Sequence, residues 1–291
     1  MNKYTLENDR LIVQVNKKGA ELAGIRSKEN GLEYLWEADP TYWGRHSSIL
    51  YPIVGRVFED QYKYKGEDFQ MKQHGLARNL AFNEVQANAL HLELVLHSNE
   101  ETLRQYPFPF VFRAIYDLKD NELAITYKIE NPAESIAYFS VGAHPAFKCP
   151  LLPGEQRSDY RLVFNQSEKA ERQLLEGGFR SGEKSLVLEG SDTLAIRNDL
   201  FDQDALIFED MQSQEVSLEN KSGQRFWTFD FSGFPYLGIW SKNAEAPFVC
   251  IEPWFGVADK IGGYADLSEK EGILALEGGK SFQCTHKVRI W

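Results

Sequence analysis

The chain predicts an all-β fold, a large antiparallel β-sandwich formed as a single domain over residues 1–291. Apolar and polar residues alternate with a period of two in several separate segments, as strands do when one face meets a core and the other meets water. Turn-forming clusters recur between those segments with the rhythm of strand–turn–strand units. Helical patterning is nearly absent, and no alternation of strand and helix blocks points to a parallel α/β sheet.

The elements follow in order. Glu29-Asn30-Gly31 and Lys65-Gly66-Glu67-Asp68 are turn signals. Leu90, Leu92, Leu94 and Leu96 then alternate with polar neighbours as a strand. Ser98-Asn99-Glu100-Glu101 offers a helix N-terminus, with Glu101 three residues after Ser98 as a capping box. That helix must end near Tyr106 because Pro107 follows. After the turn Lys119-Asp120-Asn121, Leu123, Ile125, Tyr127 and Ile129 alternate again, and a further strand runs from Ile136 to Val141. Pro150 to Gly154 is the best candidate break, but strands resume beyond it. An apolar strand starts after Asp202 and Asp204, and Asn220-Lys221-Ser222-Gly223 is a turn. An apolar strand from Phe248 ends at Glu252. After Gly278-Gly279, the residues Phe282, Cys284, His286, Val288 and Ile290 form a last alternating strand. No internal repeat of solenoid or propeller length is present.

Composition limits the partners. With 43% hydrophobic and 26% charged residues the chain reads as an ordinary globular one. A net charge of -11 argues against nucleic acid or an anionic membrane as the main ligand. No apolar run approaches the roughly 18 residues of a membrane helix, and Met1 to Glu7 contains no apolar signal region. Cys149, Cys250 and Cys284 form neither a CxxC pair nor a zinc-ligand spacing, which suits a reducing cytoplasm. Aromatic residues make up 13% of the chain and suit both strands and the walls of a carbohydrate cleft.

Local features that could carry chemistry stand outside this regular pattern. In Gln73-His74-Gly75-Leu76-Ala77-Arg78, a histidine beside a glycine reads either as a ligand-facing loop or as a turn with a solvated ring. In Gly142-Ala143-His144-Pro145, small neighbours leave room for a ligand, and His144 reads as a proton carrier or as a satisfied core histidine. Cys250-Ile251-Glu252-Pro253-Trp254-Phe255-Gly256 is the strongest signal. By alternation Glu252 shares a face with Phe248 and Cys250, and an unpaired carboxylate there costs several kcal/mol. It therefore has partners or a task as a general base; the plainer reading is a structural bond to a neighbouring strand. Asp202 and Asp204 read as turn residues or as substrate contacts. Arg56, after Gly55, could donate to hydroxyls or form a surface ion pair. No P-loop, Rossmann fingerprint, GxSxG elbow or HExxH is present. A metal site from His74, His144 and Glu252 has no local ligand motif behind it.

At these residues the sequence resembles the aldose 1-epimerase (galactose mutarotase-like) family, most of all its LacX-type branch. The matching pieces are Pro52 to Arg56, Gln73 to Arg78, Gly142 to Phe147, Asp204 to Phe208 and Cys250 to Gly256, in the family's order. The resemblance implies a galactose mutarotase-like supersandwich with a sugar cleft across one sheet. It implies that Glu252 removes the anomeric hydroxyl proton and that His144 protonates the ring oxygen, so that the ring opens and recloses as the other anomer. It implies that His74 hydrogen-bonds near the ring oxygen and that Asp204 and Arg56 hold hydroxyls. Trp254 is expected as a wall of the sugar cleft. No metal and no organic cofactor are implied. The run Leu76-Ala77-Arg78 after His74-Gly75 is closer to the hexose-6-phosphate epimerase branch, so Arg78 could meet a phosphate or sit in a structural ion pair. The expected ligand is a small sugar or sugar phosphate, and a homodimer is compatible with the sequence. The alternatives are a non-catalytic carbohydrate-binding or sensing protein on the same fold, and a glycoside hydrolase using Asp204 and Glu252.

Overall fold

The computed structural model describes residues 3–291; residues 1 and 2, which open the segment read for a signal, lie outside the described residues. Strand accounts for 53% of the structure and helix for 6%, so period-two patterning governs the chain. The architecture is the expected large antiparallel β-sandwich. One sheet runs in the order Ser47–Leu50, Val141–Lys148, Phe248–Phe255, Tyr236–Trp240, Leu206–Glu209, Tyr160–Glu176, Glu215–Asn220, Arg225–Asp230, Ser281–Ile290, Glu122–Glu130, Val111–Lys119, His91–His97 and Asn83–Ala87. Phe179–Ala195 pairs with Tyr160–Glu176 alongside that path. No helix among the described residues is long and apolar enough to cross a membrane.

Alternation in the sequence became alternation in burial. Over Glu122–Glu130 every second residue is buried, from Leu123 to Ile129. The last strand, Ser281–Ile290, buries Cys284, His286, Val288 and Ile290 in the same way. In His91–His97 the buried set is Leu92, Leu94, Val95 and Leu96, whereas Leu90 precedes the strand and is exposed. The core between the layers is rich in aromatics, among them Tyr51, Phe112, Tyr127, Phe139, Phe147 and Trp227. Fully burying a side chain of that class contributes about 1.5–3 kcal/mol.

Three local expectations shift. The helix spans Glu100–Gln105 as the proline required, but its cap is Asn99, not Ser98. Asn99 accepts from the Thr102 amide and the Thr102 hydroxyl accepts from the Asn99 amide, so the box uses Asn and Thr one residue later. The strand read over Ile136 to Val141 divides. Ala137–Phe139 pairs with Leu274–Leu276, the Ser140 amide turns to the Pro52 carbonyl, and Val141–Lys148 is a strand of the large sheet. His144 therefore lies inside a strand and not after one. Likewise Phe248–Phe255 continues through Glu252 and Pro253, so Glu252 is mid-strand.

Candidate active site

Val141–Lys148 and Phe248–Phe255 are antiparallel neighbours. Their register is Gly142 to Trp254 on one side and Ala146 to Cys250 on the other, which sets His144 directly across from Glu252. Residues directly opposite on an antiparallel pair project to the same face. Pro145 and Pro253 flank the pair, and neither has an N–H to give to the ladder. Between the two paired ends the strands are joined by side chains: His144 Nε2 lies 3.2 Å from Glu252 Oε2.

Both groups are almost fully enclosed, with 7% of His144 and 2% of Glu252 exposed. Burial raises the Glu252 carboxyl well above its usual range, and the nearby Asp204 charge adds to the rise. Burial also lowers His144, to about 3, with the Arg78 charge a further cause. Both shifts favour the uncharged forms, with one proton shared between the facing oxygen and nitrogen. The His144 ring stacks on Trp43, with centroids 4.7 Å apart and planes at 24°, and meets the edge of Trp240. An aromatic face at that distance favours the ring in its cationic form.

His74 reaches the same place from a turn. Its φ is 65° and that of Gly75 is 71°. A Cβ on Gly75 would lie 2.3 Å from the Tyr51 carbonyl oxygen, so glycine is required there. The His74 amide donates to the Gly55 carbonyl at 2.7 Å, and the Gly55 amide donates to His74 Nδ1 at 3.1 Å. With Nδ1 accepting, Nε2 carries the hydrogen. The ring meets His144 edge-on, centroids 5.5 Å apart. Burial holds its pKa well below the ordinary histidine value, and the neighbouring His144, Arg78 and Arg45 push it the same way.

These residues border a cavity of about 630 Å³, which Gln73, Arg78, Asp202, Asp204 and Trp254 also line. That is within the roughly 300–1,000 Å³ usual for small-molecule sites. Asp204 sits at a φ of 69° and accepts from the Ala205 amide at 2.8 Å. Asp202 and Asp204 both border the cavity, and Asp204 is the one whose charge raises Glu252. Arg78 follows the His74 turn; its Nη2 donates to the Gln73 carbonyl, and its Nε is buried without a partner. Burial, with Arg45 nearby, lowers its pKa to about 10. Trp254 is wedged beside two glycines: a Cβ on Gly142 would lie 2.5 Å from its ring, and one on Gly238 would lie 2.6 Å away.

Arg56 stands apart from this group. It pairs with Asp60 at 3.4 Å, donates to the Gly177 carbonyl at 3.2 Å, and lies over the Phe179 ring at 4.8 Å. Its side chain thus holds the Gly177-Gly178 hairpin tip, of which Gly178 borders the cavity. A buried ion pair fixes the segment around Ala258, which also borders the cavity. Lys270 Nζ donates to Asp259 and to the Val257 carbonyl, both at 2.6 Å, and Asp259 accepts from the Phe58 amide at 3.0 Å.

Sequence reasoning missed Tyr42, Trp43, Trp240 and Lys242, which also line the cavity. Trp43 lies in an irregular loop with no motif around it. Trp240 ends the strand Tyr236–Trp240, where an aromatic reads as ordinary sheet packing.

Comparison with known proteins gives one answer. A family model described as aldose 1-epimerase matches residues 2–261. The chromosomal protein LacX of Lactococcus lactis subsp. lactis is 32% identical over 266 residues, covering 88% of each chain. A galactose mutarotase related enzyme from Lactobacillus acidophilus superposes with a TM-score of 0.94 at 35% identity, over 99% of this chain and 97% of that one. A galactose mutarotase-like protein from Lactobacillus casei gives a TM-score of 0.93 at 31% identity, over 99% of this chain and all of the other.

Proposed function

Since the chain belongs to the aldose 1-epimerase family of isomerases, we propose that it interconverts the α and β anomers of an aldohexose or a hexose 6-phosphate, with Glu252 and His144 as base and acid. The observation that carries this reading is the 3.2 Å contact between two buried groups facing one cavity. Ring opening needs a proton taken from the anomeric hydroxyl and another given to the ring oxygen, without a free charged intermediate. The resting pair already holds the right number of protons. Moving one proton from Glu252 to His144 produces the carboxylate base and imidazolium acid that the reaction uses. The base takes the hydroxyl proton as the acid protonates the ring oxygen and the bond from C1 to that oxygen breaks. Rotation about C1–C2 presents the other aldehyde face, and the reverse transfers close the ring. His74 Nε2–H is suited to donate a hydrogen bond near the ring oxygen. Asp204 and Trp254 are taken as substrate contacts, and Arg56 is retained as a residue acting on the sugar through the hairpin tip it holds.

Arg78 favours the phosphorylated substrate. It is a cation bordering the cavity, with a partnerless buried Nε and a pKa lowered to about 10, and an anion would relieve both conditions. The same proposal takes residues 1–291 as one domain, supported by the pairing of Ser281–Ile290 with Glu122–Glu130 near the middle of the chain. It takes the enzyme as cytoplasmic, supported by three free buried thiols, and as compatible with a homodimer.

The test is one-dimensional proton NMR of freshly dissolved α-glucose, α-galactose and their 6-phosphates, with and without protein. Faster anomeric exchange supports the isomerase. Sugar binding without exchange would instead establish a carbohydrate-binding or sensing protein. Arg78→Gln should slow exchange of the 6-phosphate more than that of the free sugar; equal slowing removes the phosphate reading.

A further inference from the structure

We propose that His144, Cys250 and Glu252 form a latent site for a thiophilic divalent cation such as Zn2+, and that filling it switches the acid–base pair off. The inhibitory half of this inference rests on the isomerase reading above; the binding half does not.

Each of the three side chains offers one ligand atom, and these atoms all lie within 4.8 Å of one another. Cys250 and Glu252 are two residues apart on one strand and so share a face. Cys250 is paired with Ala146, two residues from His144 on the neighbouring strand. Two adjacent strands thus present a thiol, a carboxyl and an imidazole to one point. Zinc bonds of 2.0–2.3 Å in a tetrahedron require ligand atoms about 3.5 Å apart. The His144 to Glu252 edge is already 3.2 Å. The widest edge has to close by roughly 1.3 Å, which side-chain rotation supplies. His144 Nδ1 is buried without a hydrogen-bond partner, so nothing on that side holds the ring in its present rotation.

The donor set selects the metal. A thiolate with one imidazole and one carboxylate suits zinc and disfavours magnesium and calcium, which take oxygen ligands. His144 and Glu252 border the cavity while Cys250 is fully enclosed, so the fourth coordination position faces the space a sugar would occupy. On binding, the thiol proton and the carboxyl proton leave to solvent as the metal–sulfur and metal–oxygen bonds form. The neutral imidazole coordinates through a nitrogen lone pair. A metal holding the Glu252 oxygen and the His144 nitrogen leaves neither free to exchange a proton with a sugar.

Two readouts test this. Titration of metal-free protein with Co2+ should produce a thiolate-to-cobalt charge-transfer band in the near ultraviolet that is lost in Cys250→Ala and in the milder Cys250→Ser. Separately, Zn2+ should suppress anomeric exchange by the wild type, and EDTA should restore it. Cys250→Ala should keep its exchange without metal and need at least about tenfold more Zn2+, since even outer-shell changes cost 10–100-fold in metal affinity. Absence of a Cys250-dependent cobalt band, or equal zinc sensitivity of wild type and Cys250→Ala, overturns the proposal. If metal-free protein exchanges the anomers of no aldose, the isomerase reading falls, and the cobalt titration still decides whether the site exists.

Discussion

Replacing Glu252 by Gln separates catalysis from architecture. The Glu252 carboxyl is held well above its ordinary pKa by burial and by Asp204, so the folded protein prefers it neutral. Gln reproduces that neutral shape and can still donate toward His144 Nε2, 3.2 Å from the present oxygen. What it removes is the base. Loss of a general base lowers a rate by roughly 10²–10⁴-fold, or about 3–5 kcal/mol of barrier. Stability should move the other way. Above pH ~4.3 the unfolded chain ionises this side chain while the folded chain resists doing so. Wild-type folding therefore loses free energy as pH rises from there toward the folded pKa. Glu252→Gln removes that cost, so the variant should be more stable at pH 7, and the difference should vanish near pH 4. Anomeric exchange by NMR and thermal unfolding at both pH values, on one preparation, provide the comparison. Exchange near the wild-type rate would make Glu252 structural. A variant less stable than wild type at pH 7 would refute the neutral resting pair.

Further outcomes follow from the same geometry. His286 is buried among Tyr127, Phe229 and Phe234 with neither ring nitrogen partnered, and burial lowers its pKa to about 3. Its folded pKa is below the unfolded value, so stability is lost as pH falls below ~6.5. His286→Phe should therefore gain over wild type by about 1–2 kcal/mol more at pH 5 than at pH 8 in thermal unfolding; a constant difference would exclude this histidine as a source of acid sensitivity. Gly238→Ala brings a Cβ within 2.6 Å of the Trp254 ring, which should cost about 1–3 kcal/mol of stability and weaken sugar affinity. Unchanged affinity by calorimetry would remove Trp254 from the sugar contacts. Asp204→Asn takes away a charge that raises Glu252, so the alkaline limb of the pH–rate profile, where the pair loses its shared proton, should move to lower pH. A limb that stays in place would show that Asp204 does not act on the base.

The sheet was legible because its period is local: Leu123 to Ile129 announce their inward face with no knowledge of any partner. The site was legible where local chemistry is unusual, as with a carboxylate among apolar residues at Glu252 and a glycine after His74. Pairing is a different kind of information. That His144 faces Glu252 depends on a register between strands more than 100 residues apart, and no window of sequence contains it. Strand ends were misjudged at both residues for a related reason. The strands were read to end at Val141 and at Glu252, short of Pro145 and Pro253, yet a strand can carry proline where the ladder hydrogen bond is absent. Trp43 had no local signal, because its role is to stack on a ring that another strand supplies. Arg56 was legible as a residue beside the site, but its contacts with Asp60, Gly177 and Phe179 come from tertiary structure alone.

The cross-strand seating of His144 and Glu252 has a consequence for how this chemistry can fail. The distance between acid and base is fixed by the lateral spacing of two strands inside a wide sheet, and not by the posture of a loop. Thermal loosening of surface loops therefore leaves the pair aligned until the sheet itself gives way. A slip of one residue along either strand would be decisive, because it would turn one of the two side chains to the opposite face. Partial activity from a gradually drifting geometry is not available to such a pair. On heating, exchange per folded molecule should rise smoothly, as a fixed barrier requires, and then be abolished together with the sheet.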